Sequence, residues 1–230
     1  MNNSQSLLSI KNLNISTKVQ PLVKNFNLEL KAGECIGISA PTGTGKTTLF
    51  NYIAGLLPKK DFIITGDLVK TPNLKIAYVF QEPRLIPGLS ALKNIMLPLE
   101  NIMETERVVS ASRVWLQRFK LSNKADELPN NLSGGEQQRV NLARAFAYLA
   151  ANTTTSEGVI LLDEPFASQD EDNAQNIQSL IKEILFMQKK SALIISHDKT
   201  LLQQICDKVE VFSEFSIKNM TNPSSYGKIF

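Results

Sequence analysis

Short apolar runs alternate with amphipathic segments along the chain, and their order predicts an α/β fold. Leu7–Ile15 and Phe26–Leu30 alternate apolar with polar residues, which is typical of half-buried antiparallel strands. Four later runs are short and mostly apolar, as strands buried on both faces are. These runs are Cys35–Ile38, Ile76–Phe80, Val159–Leu162 and Ala192–Ile195.

Helical patterns lie between these runs. Thr47–Leu56 predicts a helix that ends near Pro58, and Asn173–Gln188 predicts another between the last two apolar runs. The spacing is again helical from about Ser90 to Ala150, where apolar residues recur at Val108, Val109, Trp115, Leu116 and Phe119. Strand–helix–strand order predicts a parallel sheet that is covered on both faces. The expected fold is a P-loop NTPase core in one domain, 1–230, with an antiparallel N-terminal β subdomain and a helical insertion at about 84–150.

Composition narrows the functional classes. The 230 residues are 43% hydrophobic, which suffices for one large domain with a sizeable core. The net charge of +3 is too small to indicate a nucleic-acid binder, whose basic residues would be expected to cluster. The two cysteines, Cys35 and Cys206, lie in apolar runs without metal-like spacing, so we expect reduced, buried thiols.

Membrane segments are not predicted. No apolar stretch approaches the ~20 residues that cross a bilayer, and Met1–Ser6 lacks the features of a secretion signal. We therefore expect a protein that is soluble in itself and is held at a membrane only by a partner. The chain ends soon after its expected core, with no room for a sizeable regulatory domain, and the polar tail Ser213–Phe230 is assigned to no element.

A Gly-rich phosphate loop, Ala40–Thr47, follows a predicted strand and opens a predicted helix. In that context backbone N–H groups cradle phosphates, Lys46 reaches the β- and γ-phosphates, and the Thr47 hydroxyl ligates Mg²⁺. Ala40 replaces the usual first glycine, which a small residue with a negative φ can do. A Gly-rich turn without a ligand is the alternative, and the agreement of motif and context disfavours it. The expected nucleotide-binding residues here are Ala40, Pro41, Thr42, Gly43, Thr44, Gly45, Lys46, Thr47 and Thr48.

Two carboxylates, Asp163 and Glu164, follow the apolar run that ends at Leu162. Ligands of parallel sheets collect at the carboxyl ends of the strands. Asp163 is suited to hold Mg²⁺ through water, and Glu164 is suited to polarise the water that attacks a γ-phosphate. A solvated acidic strand end is the alternative, which the nearby phosphate loop disfavours.

Gln81 and His197 each follow an apolar run as well, so both are expected at the same edge of the sheet. Gln81 could contact Mg²⁺ or the attacking water. His197, the only histidine, could donate a hydrogen bond to a γ-phosphate oxygen. Either residue alone would be uninformative, and only its position at a matching strand end makes it a candidate.

A second phosphate-binding element lies far downstream, in the Ser-Gly-Gly segment Leu132–Arg139. Ser133 can cap a helix, the two glycines allow close backbone approach, and N–H groups at a helix N-terminus favour an anion. A chain with two phosphate-binding ends must have a reason for both.

In this order, the motifs resemble the ATP-binding cassette (ABC) family of transporter ATPases. The resemblance covers residues from about 7 to 212 and is highly specific in the Ser-Gly-Gly segment. It implies two cassettes that dimerise head to tail, with each ATP between the phosphate loop of one and the Ser-Gly-Gly segment of the other. The partner's nucleotide would then be contacted by Ser133, Gly134, Gly135 and Gln137, while Asp170 would belong to a loop that couples the two sites.

The resemblance also implies the chemistry of the site. ATP and Mg²⁺ would be the cofactors. The catalytic residues would be Lys46, Gln81, Glu164 and His197, and the metal would be held by Thr47, Gln81 and Asp163.

The expected function is that of the ATP-hydrolysing subunit of an importer. The run Val79–Pro87 looks like that of ATPases serving nitrate, sulfonate and taurine uptake, and Asp163–Phe166 fits the same group. The implied partners are a second cassette, identical or paired, integral permease subunits and a substrate-binding protein, with no nucleic acid. The chain would be cytoplasmic, at the inner face of the cell membrane. A permease would dock near a stretch that is apolar at Leu85, Ile86, Leu89, Leu92, Ile95 and Leu97.

Three alternatives are weighed. An exporter or lipid-handling ABC complex stays open, although Glu127–Asn131 lacks the Asp/Glu- and Gly-rich segment of many exporters. A soluble ABC ATPase acting on DNA or ribosomes would need a coiled-coil insert or, usually, a second cassette. A non-hydrolysing regulatory module conflicts with the intact Lys46, Asp163, Glu164 and His197.

The sequence departs from the family pattern at three places. Ser16 and Thr17 stand near the position of an adenine-stacking aromatic residue, and neither can stack. Gln169 replaces a common apolar residue of the coupling loop, Ala167–Asp170. The polar run Ala151–Gly158 is longer than usual and is interpreted as a surface loop.

Overall fold

The structure, a computed structural model, describes residues 5–39, 45–152, 158–167 and 171–212. Some sequence expectations lie outside these residues. They concern Ala40, Pro41, Thr42, Gly43 and Thr44 of the phosphate loop, Gln169 and Asp170 of the coupling loop, 153–157 of the polar run, and the tail Ser213–Phe230.

The predicted strands and helices occur in the expected order, and among the described residues two further strands and one further helix add to them. The strands are β1 (Ser6–Ser16), β2 (Pro21–Lys31), β3 (Cys35–Ser39), β4 (Ile63–Lys70), β5 (Lys75–Val79), β6 (Gly158–Asp163), β7 (Ser191–Ser196) and β8 (Lys208–Val211). The helices are α1 (Lys46–Ala54), α2 (Ala91–Met96), α3 (Thr105–Arg118), α4 (Gly134–Asn152), α5 (Glu171–Gln188) and α6 (Lys199–Ile205).

Two sheets organise these elements. A five-stranded sheet has the order β5-β6-β7-β3-β8, and every pair in it is parallel. A three-stranded antiparallel sheet has the order β2-β1-β4. The predicted α/β class, with a parallel sheet and an antiparallel N-terminal part, is confirmed.

The core lies on both faces of the parallel sheet. Along β6 and β7 consecutive side chains alternate between faces, because a strand has a period of two residues. Ile160 and Ile194 belong to the cluster formed with helices α2 to α6, whereas Leu161 and Leu193 belong to the cluster formed with α1 and the antiparallel sheet. Burial on both faces explains why these strands are continuously apolar.

The helical part adds a well-packed aromatic group. Of the apolar residues that indicated a helix, Val108, Trp115, Leu116 and Phe119 are buried and Val109 is half-buried. The Trp115 ring lies 6.0 Å from the Phe146 ring of α4, centroid to centroid, so α3 and α4 pack directly on each other.

Because all five strands of the larger sheet are parallel, their carboxyl ends share one edge. The residues that follow β5, β6 and β7 therefore meet there. The two thiols lie at the opposite edge, where Cys35 begins β3. Its Sγ atom is 3.5 Å from that of Cys206, and both residues are free thiols, Cys206 being only half-buried.

Candidate nucleotide-binding site

A cavity of about 430 Å³ opens at the carboxyl edge of the parallel sheet. The structure brings Gln81, Asp163, Glu164 and His197 together with the start of α1. The described residues that line the cavity are Leu22, Gly45, Lys46, Thr47, Thr48, Gln81, Asp163, Glu164, Ala167 and His197.

Gly45 fixes how α1 begins. Its φ of 85° lies in the left-handed region, which glycine adopts without a Cβ clash. A Cβ at this position would overlap the carbonyl oxygen of Leu22. The tight approach of β2 thus requires glycine here and aims the first residue of α1, Lys46, into the cavity.

Lys46 forms a buried ion pair with Glu164. The Nζ atom lies 3.2 Å from Glu164 Oε1, and the two side chains are only 8% and 10% exposed. In such surroundings water screens the charges weakly, so the attraction between the two side chains is stronger than it would be at the surface.

Glu164 itself has an unusual backbone. Its φ of 46° is left-handed, and its N–H donates to the Ile195 carbonyl at 3.0 Å. Such a conformation costs about 1–3 kcal/mol outside glycine and persists only where the surroundings hold it. It turns the carboxylate toward His197, whose Nδ1 lies 3.1 Å from Oε2. Nδ1 is therefore the protonated ring nitrogen when Glu164 is ionised.

Asp163 is almost fully buried at the end of β6. Its Oδ2 accepts hydrogen bonds from the Thr47 hydroxyl at 2.9 Å and from the Tyr78 hydroxyl at 3.3 Å. Burial raises the pKa of Asp163, and these two donors partly oppose that shift because they stabilise the carboxylate.

The arrangement fits Mg²⁺ bound with a phosphate ligand. Adjacent hydroxyl and carboxylate oxygens, from Thr47 and Asp163, are donors that this cation prefers. Within the described ranges, no three His, Cys, Asp or Glu residues cluster as a metal cage. Mg²⁺ is usually held by one or two carboxylates together with phosphate oxygens, so the donor set is consistent with it.

The Ser-Gly-Gly segment is held by reciprocal capping. Ser133 N–H donates to Glu136 Oε2 at 2.8 Å, and Glu136 N–H donates to Ser133 Oγ at 3.2 Å. Gln137 Nε2 donates to the Pro129 and Leu132 carbonyls, both at 3.1 Å. None of the described residues that line the cavity belongs to this segment. Ser133, Gly134, Gly135 and Gln137 are therefore not brought to the cavity by their own chain.

The cap gives a pH-dependent prediction for Glu136→Gln. The hydrogen bond from Ser133 N–H holds the pKa of Glu136 below its usual value. The contribution of the Glu136 carboxylate to the free energy of unfolding is therefore complete above its unfolded-state pKa. It is lost as the pH falls through the lower folded-state pKa. Near neutral pH we expect wild type to be more stable by about 0.3–1 kcal/mol, since solvent screens this surface group.

Denaturant unfolding at several pH values measures the difference, which we expect to shrink as the pH falls below about 4. The exposed Glu100 provides a control, and Glu100→Gln should show no comparable pH dependence. A Glu136→Gln difference of constant size down to the acid limit of folding would contradict the expectation.

Helix α4 also reaches the residue before Gln81. The buried side-chain amides of Gln138 and Asn141 each lie 3.5 Å from the Phe80 carbonyl oxygen. Arg144 donates to Asn141 Oδ1 at 3.0 Å, and burial lowers the pKa of this arginine. One helix thus connects the Ser-Gly-Gly segment with the strand end at Gln81.

Three lining or contacting residues were not predicted from the sequence. Leu22 lines the cavity without belonging to any chemical motif, Ala167 was named only as the first residue of the coupling loop, and Tyr78 was interpreted only as part of a strand. At the β1–β2 turn, Thr17 Oγ1 accepts from the Val19 and Gln20 N–H groups, so its side chain is used within the turn. The expected roles of the site residues remain predictions.

The comparisons with known proteins identify the family. The profile of the ABC transporter family matches residues 23–167, which is more than half of the chain, and the chain belongs to this family. The iron(III) import ATP-binding protein FbpC 2 of Rhizobium meliloti is 35% identical over 209 residues, covering 88% of this chain and 51% of that protein. The chain thus spans about half the length of this relative.

Two further relatives have names that state different systems, one for sulfonate import and one for lipoprotein release. The aliphatic sulfonates import ATP-binding protein SsuB 1 of Agrobacterium fabrum is 32% identical, with 90% of this chain and 71% of that protein covered. The lipoprotein-releasing system ATP-binding protein LolD of Saccharophagus degradans is also 32% identical, with 78% and 81% covered.

A solved structure matches the fold. The ATP-binding cassette MJ0796 of Methanocaldococcus jannaschii, a dimer in a post-hydrolysis state with ADP and Pi, has a TM-score of 0.76 and 30% identity. The match covers 90% of this chain and 94% of that chain. The expected class, an ABC-type ATPase with the cassette fold, is confirmed. Among the described helices, none is both long and apolar enough to span a membrane.

Proposed function

We propose that the chain is the ATP-binding and ATP-hydrolysing subunit of an ABC importer and works as a pair of cassettes. One observation carries the pairing. The cavity gathers the phosphate-loop helix, both acidic residues and His197, whereas the Ser-Gly-Gly segment of the same chain contributes nothing to its described lining. A second chain would supply that segment, with Ser133, Gly134, Gly135 and Gln137 at the nucleotide.

In this proposal ATP lies with its phosphates at the start of α1. Lys46 exchanges its ion pair with Glu164 for the β- and γ-phosphates. Thr47, Asp163 and Gln81 hold Mg²⁺, which supplies charge neutralisation at the phosphates when bound. Gly45 and Thr48 line the cavity, and by the sequence motif Ala40, Pro41, Thr42, Gly43 and Thr44 would complete the phosphate-binding residues.

Glu164 is the general base of the proposed hydrolysis. Once Lys46 binds the phosphate instead of Glu164, the Glu164 carboxylate can accept a proton from the attacking water. His197 Nδ1–H, at 3.1 Å, orients the carboxylate, and in the imidazolium form Nε2–H on the opposite side of the ring would donate to a γ-phosphate oxygen. The His197 side chain is 68% exposed, so its ring is accessible to a bound nucleotide or to a partner chain.

Loss of the γ-phosphate would open the pair. Helix N-termini on opposite sides of the terminal phosphate favour closure only while its charge is present. The coupling loop with Asp170 would transmit this change to the second site, and 84–150 would form the helical subdomain of the single domain.

The direction of transport rests on the relatives. The names of SsuB and FbpC state import, and the run Val79–Pro87 favours the sulfonate type. LolD favours the second candidate, a lipoprotein- or lipid-handling complex. In either case permease subunits would hold the chain at the inner face of the membrane, and an importer would add a substrate-binding protein.

Two exposed apolar side chains are the proposed permease contacts. Ile86 is 41% exposed and Leu97 is 39% exposed, whereas Leu92 and Ile95 of the same stretch are buried. In detergent extracts of the native membrane, we expect the tagged chain to retain an integral membrane protein. The double variant Ile86→Asp/Leu97→Asp should weaken this association by about tenfold or more.

The matched control is Phe186→Asp, because Phe186 is 81% exposed but lies on α5. It should retain the association. Recovery of no integral membrane protein, or equal loss in both variants, would overturn the permease assignment. The identity of the retained protein would separate an importer from a lipoprotein-handling complex.

A further inference from the structure

Tyr78 contacts Asp163 from the neighbouring strand. It lies in β5, opposite Leu161 of β6, and its hydroxyl donates to Asp163 Oδ2 at 3.3 Å. The same carboxylate oxygen accepts from Thr47 at 2.9 Å. Two hydroxyl donors from different elements thus converge on one oxygen of a buried carboxylate.

The Tyr78 ring is held on two sides. Phe80 stacks on it with 3.9 Å between ring centroids, and Phe50 meets it edge-on at 5.8 Å. The guanidinium of Arg84 lies 3.8 Å from the centroid of Phe80, on the same stack. A ring packed in this way has few alternative orientations, so its hydroxyl is a fixed donor.

Thr47 alone would fix the carboxylate less well. The terminal torsion of an aspartate is broad, so the Asp163 carboxylate needs external partners to keep one orientation. A threonine hydroxyl can rotate about its C–O bond, and in the proposed function it also ligates Mg²⁺. The hydroxyls of Thr47 and Tyr78 both donate to Oδ2, so rotation of the carboxylate would break both hydrogen bonds. This resistance to rotation also keeps the other carboxylate oxygen, Oδ1, in one direction.

We propose that Tyr78 is a positioning residue for the magnesium site, acting through Asp163. This inference rests on the proposed function, in which Asp163 holds Mg²⁺. Tyr78 itself is not among the described residues that line the cavity, so it would act on the site only through Asp163.

Tyr78→Phe tests the proposal because it keeps the ring stack and removes only the donor. We expect the Mg²⁺ affinity of the complex with a non-hydrolysable ATP analogue to fall by about tenfold, at the lower end of the effect of outer-shell partners. Calorimetric titration with Mg²⁺ measures it. Binding of the analogue in the presence of chelator should be unchanged, and the free Mg²⁺ that half-saturates turnover should rise by a similar factor.

Two comparisons separate positioning from general packing. Tyr52→Phe removes a tyrosine hydroxyl from the same core cluster and should leave Mg²⁺ affinity unchanged. In an Asp163→Asn background, the additional effect of Tyr78→Phe should be largely lost, because its route to the metal is gone. A full tenfold effect in that background would overturn the proposal.

The test also distinguishes this proposal from the function on which it rests. If wild-type binding and turnover do not depend on Mg²⁺, the proposed magnesium site fails whatever Tyr78 does. If wild type depends on Mg²⁺ and Tyr78→Phe keeps the same Mg²⁺ affinity, only the role of Tyr78 fails.

Discussion

Replacing Glu164 with glutamine is expected to lower ATP turnover by about 10²- to 10⁴-fold, the usual contribution of a general base. Glutamine fills the same volume but does not accept the proton of the attacking water. It also removes the carboxylate that pairs with Lys46 at 3.2 Å, so phosphate binding no longer has to break that ion pair. ATP should therefore bind at least as tightly as in wild type, and the ATP-bound dimer should live longer.

Steady-state phosphate release and size-exclusion chromatography with ATP measure these two effects together. Glu183→Gln is a suitable control, since Glu183 is exposed on α5 and should leave both unchanged. Wild-type turnover in Glu164→Gln would remove Glu164 as the base, whereas slow turnover without a longer-lived dimer would contradict the proposed pairing.

Replacing Lys46 with alanine is expected to weaken ATP binding by about 10- to 100-fold, which corresponds to the loss of hydrogen bonds to a charged group. Lys59→Ala is a matched control, since this exposed lysine lies just beyond α1. Titration with a fluorescent ATP analogue measures the affinity. Full-strength binding would contradict the phosphate-loop assignment.

The Lys46→Ala experiment needs a check on folding. The variant leaves the Glu164 carboxylate buried without its lysine, and loss of one partner of a buried pair can cost about 3–5 kcal/mol. The double variant Lys46→Ala/Glu164→Gln removes that uncompensated charge. We expect it to regain stability, measured by denaturant unfolding, while ATP binding stays weak.

The sequence predicted which polar side chains share one edge of the sheet. Asp163 ends β6, Glu164 follows it, and Gln81 and His197 follow β5 and β7, so the topology alone brings them to that edge. The predicted family, fold class and ATPase class are confirmed. These predictions depended on continuous apolar strands, which only a sheet covered on both faces explains.

Other features were beyond sequence reasoning for physical reasons. β4 is mostly exposed, and Gly66 interrupts its apolar pattern. The alternation that would predict a strand is therefore weak. The short α6 and β8 carry little periodicity of their own, and packing against β3 determines them. Leu22 reaches the cavity only because Gly45 permits a close backbone approach, and the Tyr78–Asp163 contact depends on the register of β5 and β6.

Helix α4 has a consequence for the timing of two hydrolysis events. Its first turn carries the Ser-Gly-Gly segment, and its next turns place Gln138 and Asn141 against the Phe80 carbonyl. In the proposed dimer, the N-terminal end of α4 would contact the partner's nucleotide. The side of the same helix would contact the strand end beside the chain's own nucleotide. We expect a displacement at either contact to be transmitted along the helix, so that the nucleotide state of one site would affect the timing of hydrolysis at the other.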